Sequence, residues 1–324
     1  MPLDGAPPRP PSGDRSFKRS WLRNYAEYAL AWVALKSLEW APRGLAQALA
    51  CGYVRLISFA LPRLGRVADR NLSLAFPELP PQQRVAIRNS MYRSLARVLV
   101  ALAKLPSIRR ENLDEWIRLE GREHVESARH AGRGILFAAA HLGNWELSAY
   151  AYGLVVGPMN VVVRPLDNPL LDRLVERRRA LCGSRILSKR DPARPILKAL
   201  AANEAVGILV DQNTSLDTGV FVDFFGISAA APGGFARLAA RSGAAVIPGF
   251  ALWHPEERRY VLRFYPPVPM TGDTVRDTQA VQSVLEAVIR SHPDQWLWIH
   301  RRWKTRPPGA QSLYDPERAA SEAV

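Results

Sequence analysis

The sequence predicts an α/β domain with a mainly parallel central sheet, preceded by a helical N-terminal segment. Short apolar runs alternate with helical patterns from residue 134 onwards, and this alternation is typical of parallel strands joined by crossover helices. Ahead of that region, apolar residues recur at the spacing of a helix rather than of a strand. A chain of 324 residues is long enough to bury the large core that such a domain needs.

The individual elements follow from the length and spacing of the apolar residues. Apolar runs of strand length cover residues 134–140, 159–163, 206–210, 244–248 and 260–264. Helical patterns cover residues 82–105, 144–154, 168–181, 195–203, 233–241 and 278–291. Because strands and helices alternate through most of this region, we expect it to form the α/β domain.

The N-terminal segment differs from the rest of the chain. Residues 1–19 begin with a Pro- and Gly-rich stretch, which predicts a disordered lead. Residues 20–64 predict two helical segments, and the first is punctuated by the aromatic residues Trp21, Tyr25, Tyr28, Trp32 and Trp40. Residues 44–61 carry Arg55 as their only charge and approach the ~20 apolar residues that a spanning helix needs. Basic flanks and aromatic edges favour a membrane anchor, spanning or interfacial, over the alternative of a buried helical hairpin.

The charge balance points to an anionic partner. The chain carries 44 Lys and Arg against 30 Asp and Glu, a net charge of +14, which suits nucleic acid, an acidic protein or a phosphorylated lipid surface. Nucleic-acid binding is the alternative from a different class, but the sequence has neither a recognised module nor a basic stripe with interleaved aromatics. Cys51 and Cys182 are far apart and the histidines lack ligand-like spacing, so we predict no disulfide framework and no metal site.

The residues best suited to chemistry follow the predicted strand 134–140. His141 comes directly after it, Gly143 allows a tight turn, and Asn144 is a good N-cap for the next helix. Glu146 then lies in the first helical turn, where the helix dipole favours an ionised carboxylate. A carboxylate beside His141 would fix the imidazole tautomer and stabilise its protonated form, which suits deprotonation of a substrate hydroxyl. The alternative is that His141 caps the strand and Glu146 is a solvated acid.

Other polar residues follow other strand ends. Asp211 comes directly after the third predicted strand, where it either positions the site or starts a loop. Arg164 follows the second strand, residues 177–179 are three arginines on the next helix, and more basic residues occupy 300–306. Arginine clusters suit phosphate through paired hydrogen bonds, and the alternative for one or two of these groups is a solvated face.

Four sequence blocks, in this order, resemble one known family. They are HLGNWE, RPLDNPLLD, DQN with GVFVDFFG, and WLWIHRRWKTRP. Together they resemble the late acyltransferases of lipid A biosynthesis, the lauroyl/myristoyl acyltransferase family, from about Arg66 to about Pro307. The H-x4-[DE] box is shared with glycerolipid acyltransferases generally, whereas the NP-containing block and the HRRWKTRP tail narrow the resemblance.

The resemblance implies roles for individual residues. His141 matches the motif histidine and Glu146 its acidic partner, which implies a catalytic His–Glu dyad. Arg179 matches a functionally important arginine and Asp211 an acidic residue after the central strand, and we expect both to bind substrate. The same role is expected of two residues in the NP-containing block, Arg164 and Asn168.

The resemblance also implies the organisation and the partners. It implies a glycerol-phosphate acyltransferase fold, with an acyltransferase domain at 65–307, a C-terminal tail at 308–324 and an anchor on the cytoplasmic face of the bacterial inner membrane. The donor would be an acyl-carrier-protein thioester and the acceptor a hydroxyl of a phosphorylated lipid A precursor, with no cofactor, no metal and no nucleic acid. Both partners are anionic, in agreement with the net charge of +14.

The expected reaction is direct transfer. His141, oriented by Glu146, would take the acceptor proton without formation of a covalent acyl-enzyme. Residues 220–226 either line a tunnel for the acyl chain or belong to the core. Two alternatives remain within this fold: another hydroxylated membrane lipid, such as a glycolipid or an amino-acid lipid, as the acceptor, and a non-catalytic lipid-binding relative.

Overall fold

A computed structural model describes residues 20–188 and 192–314. The predictions for the lead at 1–19 and for the tail beyond residue 314 lie outside these residues. The described strands are β1 (Ile117–Glu120), β2 (Ile135–Ala139), β3 (Met159–Val163), β4 (Arg185–Ser188), β5 (Ala205–Leu209), β6 (Gly219–Phe224), β7 (Ile227–Pro232), β8 (Ala245–His254) and β9 (Arg259–Phe264). Seven of them form one sheet in the order β1-β9-β8-β2-β5-β3-β4, and β6 and β7 form a separate hairpin.

The central sheet is mainly parallel, as predicted. Among its neighbouring strands only β8 and β9 run antiparallel. The described helices are α1 (Trp21–Trp40), α2 (Arg43–Ala60), α3 (Pro62–Ala75), α4 (Pro81–Lys104), α5 (Arg122–His130), α6 (Trp145–Val155), α7 (Pro169–Arg179), α8 (Ala193–Ala201), α9 (Gly234–Ser242) and α10 (Thr274–Ser291). The α/β fold class is therefore confirmed.

Alternate residues of the central strand β2 enter two hydrophobic layers, because successive side chains of a strand point to opposite faces. Phe137 packs in the same apolar cluster as Tyr150 of α6. Leu136 packs on the other face, in a cluster that includes Ile196 of α8 and Val281 of α10. Helices thus cover both faces of the sheet, which leaves its edge at the carboxyl ends of the strands for a site.

The register of β2 and β5 brings two predicted site residues together. β2 lies between β8 and β5 and is parallel to both. Ala139 pairs with Leu209, so the carboxyl ends of β2 and β5 lie side by side. The residues that follow these strands, His141 and Asp211, therefore reach the same edge of the sheet.

Several elements differ from the sequence-based predictions. β8 continues to His254, well beyond the predicted end at residue 248, and turns back into β9. The strands β1 and β4 were not predicted, since each has four residues with polar positions among the apolar ones and so gives no apolar run. The hairpin strand β7 was missed because its small residues, ISAAAP, lack the β-branched and aromatic side chains typical of strands.

The first helices have one packed face and one exposed face. Ala46, Ala50 and Val54 of α2 pack with Ala96 and other apolar residues of α4. Large apolar side chains on the outer faces of α1 and α2 are exposed, among them Leu30, Trp40, Leu56 and Phe59. Among the described residues no single helix is long and apolar enough to span a membrane; α2 and α3 meet that requirement only when taken together, across a bend of 92°. The predicted boundary after residue 64 falls inside α3.

Two phenylalanines of the run at 220–226 belong to the core. Phe224 and Phe225 lie at the turn of the β6–β7 hairpin and are buried. Phe224 packs edge-on against Trp296, and Phe225 packs in the same way against Trp298 and Trp303. Of the two alternatives for this run, the structure supports the core.

Candidate active site

The turn after β2 is held by backbone contacts that require glycine. Gly143 has a φ of +62°, in the left-handed region, and a Cβ at this position would lie 1.9 Å from the carbonyl oxygen of Ala251. The next residue, Asn144, donates its backbone N–H to the same carbonyl. Its side chain accepts a hydrogen bond from the backbone N–H of Leu147 and so caps α6, as predicted. This turn fixes where His141 and Glu146 lie.

Asp211 is the carboxylate that holds the His141 ring. The Nδ1 atom of His141 lies 3.0 Å from one carboxylate oxygen of Asp211, and the backbone N–H of His141 donates to the other at 3.0 Å. The indole N–H of Trp296 donates to that second oxygen at 2.9 Å. The sequence analysis gave the orienting role to Glu146; the structure corrects this, because it places the carboxylate of Asp211 at Nδ1.

The environment of Asp211 keeps it ionised. Burial would raise the pKa of Asp211, but the positive charge of protonated His141 and the three hydrogen bonds lower it to about 2. An ionised carboxylate only accepts hydrogen bonds, so Nδ1 of His141 carries a proton. The other ring nitrogen, Nε2, is then the basic atom of the neutral imidazole.

Glu146 forms an ion pair with Arg179 instead. The Nε and Nη2 atoms of Arg179 donate to its two carboxylate oxygens at 2.8 and 2.5 Å. Burial lowers the pKa of Arg179, but its hydrogen bond to Glu146 and the negative charge of that residue raise it overall, so the guanidinium is charged. The neighbouring Arg178 points elsewhere and bonds Glu39 of α1 and the carbonyl oxygens of Leu102 and Ala103. Arg179, rather than Arg178, is therefore the arginine of the site.

An apolar cavity lies under α6, between that helix and the sheet. Its empty volume is about 780 Å³, and this figure includes the part that is open to solvent. Trp145, Glu146 and Arg179 are among the residues that line it. Most of its other walls are apolar side chains and small residues, including Phe137, Ala149, Tyr152, Met159, Gly207 and Leu262. The Trp145 ring also packs edge-on against the His141 ring, with ring centres 5.1 Å apart, so the cavity adjoins the histidine.

Two predicted substrate-binding residues lie outside this group of hydrogen-bonded side chains. Arg164 is exposed beyond the end of β3, and its side chain lies 3.6 Å from Asp167. Asn168 is buried and caps α7 by accepting from the backbone N–H groups of Leu170 and Leu171. Its amide nitrogen donates to the carbonyl oxygen of Asn24 and to Glu27, which ties α7 to α1. A role for either residue in binding substrate stays a prediction.

C-terminal residues that the sequence did not single out complete the site. Trp296 reaches Asp211 directly, and Arg302 is completely buried, where the negative charge of Asp211 opposes the lowering of its pKa by burial. Arg302 donates to the carbonyl oxygen of Ala230 and to the side chain of Gln282, which in turn donates to the carbonyl oxygen of Val210. This chain of hydrogen bonds supports the backbone next to Asp211. The WLWIHRRWKTRP block was recognised as a motif, but its spacing gives no partner for any single residue.

His300 is a second histidine near the pair. Its Nε2 atom accepts a hydrogen bond from the backbone N–H of Asn213 at 2.9 Å. Burial, together with the nearby positive charges of Arg302 and Lys304, lowers the pKa of His300 to about 4, although the charge of Asp211 opposes the shift. His300 is therefore neutral at neutral pH.

This shift of the His300 pKa predicts a pH dependence of stability. An unfolded histidine binds a proton near pH 6.5, whereas folded His300 does so only near pH 4, so its contribution is fully present above pH 6.5 and is lost as the pH falls through this window. We expect the melting temperature of the wild type to fall more between these pH values than that of His300→Gln, which retains an acceptor for Asn213. Parallel pH profiles of the two proteins would contradict this account of His300.

In the part of the chain that the structure describes, no three His, Cys, Asp or Glu side chains are grouped so that they could hold a metal ion.

Most of the chain matches the model of one protein family. A family model described as bacterial lipid A biosynthesis acyltransferase matches residues 16–305. The match begins ahead of Arg66, where the resemblance of the motifs begins, and so includes the N-terminal helices. It also covers His141, Glu146, Arg179 and Asp211.

Individual relatives are similar along most of their length. The lipid A biosynthesis lauroyltransferase of Escherichia coli K12 is 30% identical over 297 residues, which cover 90% of this chain and 96% of that protein. The lipid A biosynthesis palmitoleoyltransferase of the same organism is 30% identical over 306 residues, 92% of this chain and 98% of the relative. The lipid A biosynthesis myristoyltransferase is 26% identical over 312 residues, 94% of each chain.

Proposed function

Because the chain belongs to the bacterial lipid A biosynthesis acyltransferase family, we propose that it moves a fatty-acyl chain from an acyl-carrier-protein thioester to a hydroxyl of a lipid A precursor. Membership of the family agrees with the resemblance of the four sequence blocks. The single observation that supports the chemistry is the hydrogen bond between His141 Nδ1 and the buried carboxylate of Asp211.

His141 acts as the general base in this proposal. With Nδ1 protonated and bound to Asp211, Nε2 accepts the proton of the acceptor hydroxyl as the hydroxyl oxygen attacks the thioester carbonyl carbon. Asp211 stabilises the imidazolium that forms. The tetrahedral intermediate then breaks its C–S bond, and the thiolate leaves with the proton from His141. Transfer is direct, so the protein itself carries no acyl group at any stage.

Arg179 stabilises the negative charge that develops on the carbonyl oxygen. Its two hydrogen bonds to Glu146 use Nε and Nη2, which leaves the Nη1 donors for a substrate oxygen. Glu146 keeps the guanidinium in one orientation, and a charged donor that is already oriented stabilises an oxyanion without reorganisation. Glu146 is thus a positioning residue rather than the partner of His141.

The acyl chain of the donor occupies the cavity under α6. The walls of this cavity are mostly apolar, which suits a hydrocarbon chain. Glu146 and Arg179 line the same cavity and Trp145 joins it to His141, so a chain inside it would present its thioester near both reacting groups.

Narrowing this cavity shortens the preferred acyl chain. Ala149 lines the cavity one turn of α6 after Glu146, so Ala149→Leu adds three carbon atoms to the wall and removes space from the chain. We expect the ratio of the rates with long and short acyl-carrier-protein donors to fall about tenfold, which corresponds to the loss of roughly two methylene contacts at about 0.8 kcal/mol each. Ala149→Ser, which barely changes the volume, is the matched control. An unchanged donor preference in Ala149→Leu would place the chain elsewhere.

The surface agrees with membrane association and anionic partners. Trp40 of α1 and Phe59 of α2 are 74% and 86% exposed, and aromatic side chains of this kind favour the interface between lipid and water. We propose that the outer faces of α1 and α2 lie on the cytoplasmic face of the bacterial inner membrane. Arg164, which is 80% exposed, and the net charge of +14 favour contact with acidic acyl-carrier protein or the lipid phosphates.

The test uses detergent-solubilised enzyme, a tetra-acylated lipid A precursor with its inner sugars, and a panel of acyl-carrier-protein thioesters. Product mass is read for the wild type and for His141→Gln. We expect the wild type to add one acyl chain to the precursor and the variant to add none. No transfer from any donor would overturn the proposed acceptor and direct the same assay to glycolipids and amino-acid lipids.

A further inference from the structure

A second concave site lies among the N-terminal helices, away from the cavity under α6. It is enclosed by one face of α2, one face of α4 and the start of α3, where α2 and α3 bend by 92°. We call it the arginine groove and define it by Arg55, Arg88, Tyr92 and Arg93, with Ser58 and Asn89 beside them. It contains about 1220 Å³ of non-atom space, part of it open to solvent.

The positive charge of the groove is only partly neutralised. Arg88 forms an ion pair with Asp69 at 2.5 Å. Among the described residues, neither Arg55 nor Arg93 pairs with a carboxylate, and the hydrogen bond of the Arg93 guanidinium runs to the hydroxyl of Ser90. Two guanidinium groups at one concave site are therefore left to attract an anion, and their planar forks suit phosphate oxygens.

A buried hydroxyl in the same groove also lacks a partner. The oxygen of Tyr92 is shielded from solvent and has no hydrogen-bond partner among the described residues. Gly65 lies beside it, and a Cβ there would be 3.7 Å from this oxygen, in ordinary van der Waals contact. Burial raises the pKa of Tyr92, which keeps the O–H protonated and available as a donor. Because a buried polar group without a partner costs free energy, the hydroxyl suits a ligand with an acceptor oxygen.

The exposed apolar residues beside the groove indicate that this ligand is part of a lipid. Phe59 follows Arg55 by one helical turn and is 86% exposed, and Leu56 and Ile57 beside it are exposed as well. An apolar outer face next to arginines is the pattern of a helix that lies in the interface, with its apolar side chains among acyl chains and its guanidinium groups among headgroups. A free phosphate in solution would gain nothing from the apolar residues.

We propose that the arginine groove binds the phosphate of an anionic phospholipid, while the outer face of α2 lies among the acyl chains of the same leaflet. This inference rests on the proposed membrane association. Arg55 and Arg93 contact the phosphate oxygens, and the Tyr92 hydroxyl donates a further hydrogen bond. The groove thereby holds the N-terminal helices at a fixed depth and rotation on the membrane.

The test is thermal unfolding of the full chain in a neutral detergent, with dihexanoyl-phosphatidylglycerol, dihexanoyl-phosphatidylcholine or inorganic phosphate added in turn. A ligand that binds the folded state raises the melting temperature according to its affinity. We expect phosphatidylglycerol to raise it and the other two additives to leave it unchanged. Equal shifts with inorganic phosphate would indicate a free-phosphate site, and equal shifts with phosphatidylcholine a general detergent effect; either overturns the proposal.

Three variants separate the groove from the overall charge. Arg55→Gln combined with Arg93→Gln should raise the half-saturating concentration of phosphatidylglycerol about tenfold or more, since each basic residue near an anionic surface contributes about 1 kcal/mol. Tyr92→Phe should raise it a few-fold without a change of charge. Arg194→Gln combined with Arg241→Gln removes two exposed charges from α8 and α9 and should leave it unchanged. A Tyr92→Phe variant with wild-type affinity, or a control variant as weak as the groove variant, would contradict the site.

Acyl transfer in the same detergent distinguishes this proposal from the proposed function. Without phosphatidylglycerol, the groove variants should transfer acyl chains at the wild-type rate and with the wild-type KM for the acceptor. A raised KM for the acceptor would indicate that the groove binds the acceptor's phosphate, and would overturn the proposal that it binds a phospholipid. Wild-type enzyme that transfers acyl chains but shows no phosphatidylglycerol effect would overturn only the groove. Wild-type protein that shows the effect but transfers nothing would overturn only the proposed function.

Discussion

Asp211→Asn is expected to lower the rate of acyl transfer by about ten-thousand-fold, the effect that the same substitution has in serine protease triads. One carboxylate oxygen of Asp211 accepts from both Trp296 and the backbone N–H of His141. The asparagine carbonyl would keep those two donors, and its NH₂ group would then face Nδ1 of His141. Because two donors cannot bond each other, Nδ1 would lose its proton and Nε2 would carry it, in the tautomer that cannot act as a base.

Product formation with saturating donor and acceptor measures this effect. Trp296→Phe is the matched control, since it removes one neutral donor from Asp211 and leaves the charge and the tautomer in place. We expect it to lose activity by about a hundredfold at most, because a single hydrogen bond to a charged group contributes about 1.5–3 kcal/mol. If folded Asp211→Asn enzyme were to transfer at a rate close to that of the wild type, Asp211 would not orient the base.

Arg179→Met is expected to lower transfer by about a hundredfold to a thousandfold, the usual loss when one oxyanion donor is removed. It also leaves Glu146, whose side chain is only 9% exposed, without its partner, which destabilises the fold by about 3–5 kcal/mol. Combining it with Glu146→Gln removes the unpaired charge. We expect the double variant to regain stability and not activity.

The adjacent Arg178 supplies the comparison for Arg179. Its side chain is 8% exposed, against 25% for Arg179, and it forms an ion pair with Glu39 and hydrogen bonds to carbonyl oxygens of α4, but it lies outside the site. Arg178→Met should therefore lower the melting temperature while the folded fraction keeps its activity. If Arg178→Met lost as much activity per folded molecule as Arg179→Met, the Arg179 effect would be structural.

The sequence predicted those parts of the site that depend on local geometry. The strand, the tight turn at Gly143 and the cap at Asn144 follow from residues next to one another, and the structure confirms each of them. The partner of His141 does not follow from neighbouring residues. Glu146 is five residues away and Asp211 seventy, and only the pairing of β2 with β5 brings Asp211 to the ring.

The C-terminal contribution was beyond a sequence-based prediction for the same reason. Trp296 reaches Asp211, and His300 reaches Asn213, across more than eighty residues. Arg302 would be expected at the surface, because arginine is rarely fully buried without a partner, yet it is buried against Gln282 and a carbonyl oxygen. The resemblance of the WLWIHRRWKTRP block pointed to this segment, but the contacts within it depend on the packing of α10 and the β6–β7 hairpin.

The most direct test of the His141–Asp211 pair is nitrogen NMR of histidine-labelled enzyme in detergent, near neutral pH, with the His141 signals identified by their absence from His141→Gln. The account predicts that Nδ1 carries the proton and Nε2 does not, and that Asp211→Asn reverses this. A wild-type His141 protonated at Nε2 and bare at Nδ1 would contradict it, because Nδ1 would then have no proton to donate to Asp211, and Nε2 would not be the basic nitrogen that takes the acceptor's proton.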